Sequence, residues 1–225
     1  SDVCSSDLGA DRRRLPTGRT RPRRGAARRH LQDGPRGALA RGGRRRLRRP
    51  RREPCPGGRR EGPVAPGVEW HLVGHLQGNK AAKALELFAE IESVDSVALA
   101  TRLDRIAGER GRARLPIWLQ VNVDADPAKE GFTPDGLATD LPALLNLPAL
   151  DVRGLMTVGH LAGSPEEARP TFVRLRELAL RLRRDHPALG PGLSMGMSDD
   201  YEVAIEEGST LVRVGRAIFG ARPAP

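Results

Sequence analysis

The first 62 residues contain no lysine and no aromatic side chain, and residues 63–225 contain no cysteine. Cys4 and Cys55 are the only two in the chain. Two cysteines without a metal-ligand pattern exclude a disulfide framework. No apolar run reaches the roughly 20 residues that cross a bilayer. No basic-then-apolar start resembles a signal peptide either. These absences set the expectation of a reducing, cytoplasmic location and no membrane partner.

What is present is unevenly spread. Twenty arginines in residues 1–62 face six acids, which leaves that stretch at +14; the whole chain is +10, so residues 63–225 carry −4. A stretch of Arg, Gly and Pro with almost no large apolar side chain cannot bury enough surface to offset its ordering entropy, and it reads as irregular. A nucleic-acid arm is the alternative use of so much arginine. Such arms mix lysine with arginine and interleave aromatics for stacking. This stretch does neither, and no nucleic-acid partner is expected. A third reading is out-of-frame translation. Residues 1–8 read like translated sequencing adapter, and a GC-rich gene in the wrong frame yields Arg, Gly, Pro and Ala.

From residue 63 onward, short apolar runs alternate with amphipathic stretches, the pattern of βα units around a parallel sheet. Strands are predicted at 70–76, 91–94, 117–123, 152–158, 192–197 and 212–219. Helices are predicted at 80–89, 95–108 and 199–207, the last ended by Gly208. Two more open at Thr133-Pro134 and at Ser164-Pro165, where a cap residue precedes proline at the first helical position. Six units in about 160 residues fall short of an eight-fold barrel. The domain reading is therefore an irregular segment over 1–62 and a partial α/β barrel over 63–225.

Three motifs at predicted strand ends carry the chemistry: Trp70-His71-Leu72-Val73-Gly74-His75-Leu76-Gln77-Gly78-Asn79-Lys80, Ser194-Met195-Gly196-Met197-Ser198-Asp199-Asp200 and Arg213-Val214-Gly215-Arg216-Ala217-Ile218-Phe219-Gly220. The second offers hydroxyls and backbone N–H groups where a strand meets a helix, which suits a phosphate. The third adds a fixed cation and a glycine that lets the backbone approach an oxyanion. α/β barrels commonly bind phosphate at the loops after their last two strands. The plain alternative is that Ser and Gly form turns while Met195 and Met197 fill the core.

Together and in this order, the motifs resemble the YggS/PROSC pyridoxal phosphate homeostasis proteins, built like the barrel domain of alanine racemase. The likeness extends over roughly 67–222 and includes Asn122 and Gly154-Leu155-Met156-Thr157. It implies a TIM-type (β/α) barrel, here about six of eight units, that binds pyridoxal 5'-phosphate as a Schiff base without established turnover and is monomeric when intact. Carried over, Ser194, Met195, Gly196, Met197 and Ser198 lie at the phosphate, and Gly215 and Arg216 offer it backbone N–H groups. Arg216 stands where many relatives have threonine. Arg213 faces the pyridine nitrogen, where a permanent cation disfavours ring protonation and weakens the electron sink.

The departure from the family concerns its lysine, which belongs near the end of the first strand in a Ser-Lys-Thr context. Lys80, Lys83 and Lys129 are the only lysines, and none falls there. Reading one nucleotide out of frame, allowed codons for residues 31–35 spell Ser-Lys-Thr-Val-Pro, and those for 50–57 spell Leu-Gly-Glu-Asn-Arg-Val-Gln-Glu. These strings resemble the family's first two strands in the correct order. As written, covalent cofactor binding is expected to fail. Two other functions stay open: a racemase-like enzyme of the same fold, and the basic nucleic-acid binder.

The remaining polar residues read blandly. His71 and His75 share a strand face, which is not helical metal spacing, and no third ligand lies nearby, so no metal site is expected. His75 replaces the family's usual proline. His160 reads as a solvated loop residue, Tyr201 as a helix residue after the phosphate motif, and Asp199 and Asp200 as helix-capping acids.

Overall fold

The computed structural model describes residues 69–112, 114–159 and 163–220, together with the backbone of two strands at 28–31 and 38–41. The elements are β1 (Arg28–Leu31), β2 (Ala38–Arg41), β3 (Glu69–Leu72), α1 (Ala81–Leu87), β4 (Glu90–Val94), α2 (Val97–Glu109), β5 (Leu115–Gln120) and α3 (Pro134–Leu145). They continue with β6 (Leu150–Met156), α4 (Pro165–Asp185), β7 (Gly192–Ser194), α5 (Tyr201–Glu206), β8 (Arg213–Val214) and α6 (Arg216–Phe219). Strand order is β7-β6-β5-β4-β3-β2-β1-β8. β3 to β7 pair in parallel, and a parallel bridge between Ser194 and Leu211 ties β7 to the run entering β8. This is an incomplete barrel of the TIM type, with six βα units from β3 to α6.

Two short strands, β1 and β2, stand in the place of the two missing units. β1 runs parallel to β8 and antiparallel to β2, and β2 runs antiparallel to β3. Eight residues of the stretch that reads as irregular are thus strands. Composition hides them because an open strand edge needs N–H and C=O partners, which any sequence but proline supplies.

The apolar core lies between sheet and helices. Leu103 and Ile106 of α2, Leu137, Leu141 and Leu144 of α3, and Phe172, Leu175 and Leu178 of α4 are buried against Ile91, Ile117, Leu119 and Leu155 of the strands. α2 starts at the Ser96 cap, whose hydroxyl accepts the Leu99 N–H at 3.3 Å, and α3 at Thr133, which accepts from the Gly136 N–H at 3.1 Å. α4 begins differently: Glu167 accepts both the Ser164 hydroxyl and the Gly163 N–H. It runs unbroken past Pro170.

Three predicted strands are shorter than expected. β3 stops at Leu72, β7 stops at Ser194 before the turn at Gly196, and β8 covers only Arg213–Val214. Residues 216–219, predicted as strand, form a helical turn whose Ile218 and Phe219 N–H groups bond the Gly215 carbonyl. A four-residue apolar run has no period to separate strand from helix.

Candidate functional site

Strand alternation places one set of polar side chains inside the barrel. Arg213, on β8, is 3% exposed; its Nη1 donates to Ser194 Oγ at 2.7 Å and its Nη2 to the Thr157 carbonyl at 2.6 Å. Ser194 has no exposed surface, and its hydroxyl donates to Glu92 Oε2 at 2.9 Å. The other oxygen of Glu92 lies 3.0 Å from His71 Nδ1, as does Glu90 Oε2. Glu90 also accepts the Trp118 indole N–H. Gly192 makes room for that indole, since a Cβ there would lie 2.4 Å from it. Burial pushes the Arg213 guanidinium below its ordinary range, and the carboxylates of Glu92 and Asp200 oppose the shift. A cation this deep needs such partners.

The second level is the rim. Gly196, at φ +92°, turns the chain after β7, and a Cβ there would meet the Ala204 methyl at 2.5 Å. The Met197 N–H then donates to Asp200 Oδ1 at 2.6 Å. Beyond it, Ser198 Oγ accepts two backbone N–H groups, of Gly215 and Ala217, each at 3.2 Å. Ser198 is half-buried, while Arg216 and Asp199 form an exposed ion pair outside it. Two N–H groups aimed at one displaceable hydroxyl form a place where an anionic oxygen can be received.

The residues singled out from sequence therefore separate into two layers. Ser198 and Gly215 meet at the rim together with the Ala217 N–H, which the sequence did not single out, while Arg216 directs its side chain to Asp199; Met197 and Gly196 shape the turn. Ser194 and Arg213 lie below, bonded to each other, and Met195 is core. Ser194 bonds Arg213 and Glu92, whereas Ser198 bonds Gly215 and Ala217. Asp200 caps the Met197 N–H, while Asp199 pairs with Arg216 instead of capping. His160 lies outside the described residues. Glu90, Glu92 and Trp118 escaped sequence reading. Their signal was an acid at every second position of an otherwise buried strand, which on alternation means two inward carboxylates.

A curled parallel sheet with an anion-receiving rim over a buried arginine defines an α/β barrel of the alanine racemase N-terminal kind. The chain belongs to that family: the alanine racemase, N-terminal domain, matches over residues 59–223. It is 42% identical over 155 residues to a protein of Synechocystis named pyridoxal phosphate homeostasis protein, covering 69% of this chain and 71% of that one. The protein of that name from Aquifex aeolicus is 40% identical, with 69% and 68% covered. PipY of Synechococcus elongatus, solved with pyridoxal phosphate bound, superposes with a TM-score of 0.63 at 46% identity, over 69% of this chain and 72% of that one. Alanine racemase of Clostridium difficile, at 16% identity and a TM-score of 0.55, shares the fold. Among the described residues, no helix is long and apolar enough to cross a membrane.

Proposed function

We propose that this chain is a non-catalytic, cytoplasmic pyridoxal 5'-phosphate-binding protein of the homeostasis kind that carries the phosphate half of its site and lacks the lysine half. The observation that carries the reading is the pair of N–H groups of Gly215 and Ala217 converging on Ser198 above the buried Arg213. Ser198, Gly215, Arg216 and Ala217 would hold the phosphate through backbone N–H groups and one hydroxyl. Arg213, fixed by Ser194 and Thr157, would face the ring as a permanent cation. Ser194 acts through Arg213, with no phosphate contact of its own. The cofactor, when bound, supplies an aldehyde and an electron-withdrawing ring, and a cation at the ring nitrogen restrains the latter.

The fit stops at the aldehyde. Lys80 and Lys83 are exposed at the start of α1, and Lys129 pairs with Asp126 at 3.6 Å in the loop after β5. The family match begins at residue 59, which supports the out-of-frame reading of the stretch before it. In this reading the protein domain begins near residue 63, and resequencing the gene tests the frame directly.

The functional test compares pyridoxal 5'-phosphate with pyridoxine 5'-phosphate, which has an alcohol in place of the aldehyde. This chain should bind the two with equal, weak affinity, and Ser198→Ala should weaken both alike. Borohydride treatment followed by peptide mapping should find no pyridoxyl group on a lysine inside the barrel. A strong preference for the aldehyde, lost on replacing Lys80, Lys83 or Lys129, would sink the reading. Alanine racemization by a frame-corrected protein would replace it with the enzyme alternative.

A further inference from the structure

Three consecutive strands, β3, β4 and β5, are neighbours in the sheet and run in parallel, so the loops that follow them open on one rim. Each of these loops brings one metal-ligating side chain to a common point. His75 follows β3, Asp95 immediately follows β4, and Glu130 lies between β5 and α3. Their ligand atoms all fall within 4.8 Å of one another. His75 Nδ1 and Asp95 Oδ2 are 3.1 Å apart. Zinc bonds of about 2.0–2.2 Å at a tetrahedral angle would set two ligand atoms roughly 3.3 Å apart. The pair is therefore already near ligand spacing, and the exposed Glu130 side chain can swing to close the set.

The ligands are also supported one by one. The Ser93 hydroxyl donates to the Gly74 carbonyl at 2.7 Å and fixes the turn that carries His75. Ser96 Oγ donates to Asp95 Oδ1 at 3.1 Å, leaving the other carboxylate oxygen toward His75. The Glu130 carbonyl accepts the Gln120 side-chain amide at 2.9 Å, and Gly131 packs against the backbone of Asn122. Lys129, the neighbouring cation, is turned to Asp126 at 3.6 Å. Among the described residues, no ion pair is formed by the Glu130 carboxylate, so two acids stand here against a single imidazole. Supporting bonds of this kind orient metal ligands.

We propose that His75, Asp95 and Glu130 form a three-ligand site for a divalent transition-metal ion, zinc foremost, on the barrel rim. One imidazole and two carboxylates suit such an ion, and a fourth position is left for water or an anionic ligand. The proposal is independent of the cofactor reading, since none of the three residues belongs to the rim around Ser198. It also supplies a use for a histidine that sequence reading left without one.

The test uses the full chain carrying C4S and C55S, so that no thiol competes. Zinc is titrated by calorimetry, and cobalt(II) by its visible absorption, which reports nitrogen and oxygen ligands without sulfur-to-metal bands. One equivalent should bind. H75A and E130Q should each weaken binding by more than the about 10–100-fold typical of outer-shell changes. Both positions are exposed, and thermal melts should match the parent. Absence of saturable binding overturns the site. So does binding that H75A and E130Q leave unchanged, because the ion then sits elsewhere.

Discussion

Ser194→Ala offers the sharpest test of how the site is layered. The Ser194 hydroxyl has no exposed surface; it accepts from Arg213 at 2.7 Å and donates to Glu92 at 2.9 Å. Removing it leaves one guanidinium N–H and one carboxylate oxygen facing each other across a gap that water does not reach freely. Hydrogen bonds to charged groups are worth about 1.5–3 kcal/mol each, and buried partners left unmade cost their desolvation as well. A loss of about 2–4 kcal/mol in folding stability follows, allowing for partial closure of the gap. Ser198→Ala removes a half-buried hydroxyl whose two N–H partners at 3.2 Å can turn to water, and should cost only about 0.5–1 kcal/mol. The assay is equilibrium urea unfolding of both variants beside the parent, with unchanged slopes as the check on two-state behaviour. Equal, small losses for the two variants would refute the layered arrangement and return Ser194 to the rim.

Gly196→Ala should cost more than about 2 kcal/mol, because a side chain at φ +92° is strained and its Cβ would lie 2.5 Å from the Ala204 methyl; thermal melts check it. Acid should loosen the contact between α4 and α5. Hydrogen bonding to Arg169 holds the Glu166 and Glu207 carboxyls below their usual range, so their contribution is present above the ordinary carboxylate pKa and lost as pH falls through the lowered values. Glu207→Gln should flatten the fall in stability as pH drops below the ordinary carboxylate range, read by urea titration at each pH.

The six βα units and the cap at Thr133 were legible because they are local: apolar spacing and cap chemistry act over one turn or one strand, although Ser164, read the same way, makes no side-chain cap bond. Ser198 and Gly215 lie in two short motifs and could be singled out for the same reason, whereas Ala217, whose N–H meets Ser198, was passed over for its neighbour Arg216. The buried chain was not legible. Glu92 and Ser194 are separated by 102 residues, and only closure of the sheet brings them together. His71 and His75 show the limit most clearly. As an i, i+4 pair on one strand they would share a face. But β3 ends at Leu72, so His71 is inside between Glu90 and Glu92 while His75 stands on the rim beside Asp95.

The placement of β1 bears on where a cofactor lysine would stand. β1 pairs in parallel with β8, setting Arg28 opposite Arg213 and Arg29 opposite Val214. It therefore runs toward the rim where the segment after β8 presents Gly215 and Ala217 to Ser198. The residue after Leu31 in the chain is Gln32. In the shifted frame, allowed codons for residues 31–33 can spell Ser-Lys-Thr, which would put the lysine at the position that follows Leu31 in the chain. The second hairpin strand answers differently. β2 runs antiparallel to β3, whereas a complete barrel requires it parallel. An antiparallel β2 carries its end to the opposite rim, away from the cofactor. Two parallel strands joined by a crossover need a dozen or more residues between them, whereas six separate Leu31 from Ala38. A second strand parallel to β1 therefore cannot follow it through this six-residue connection.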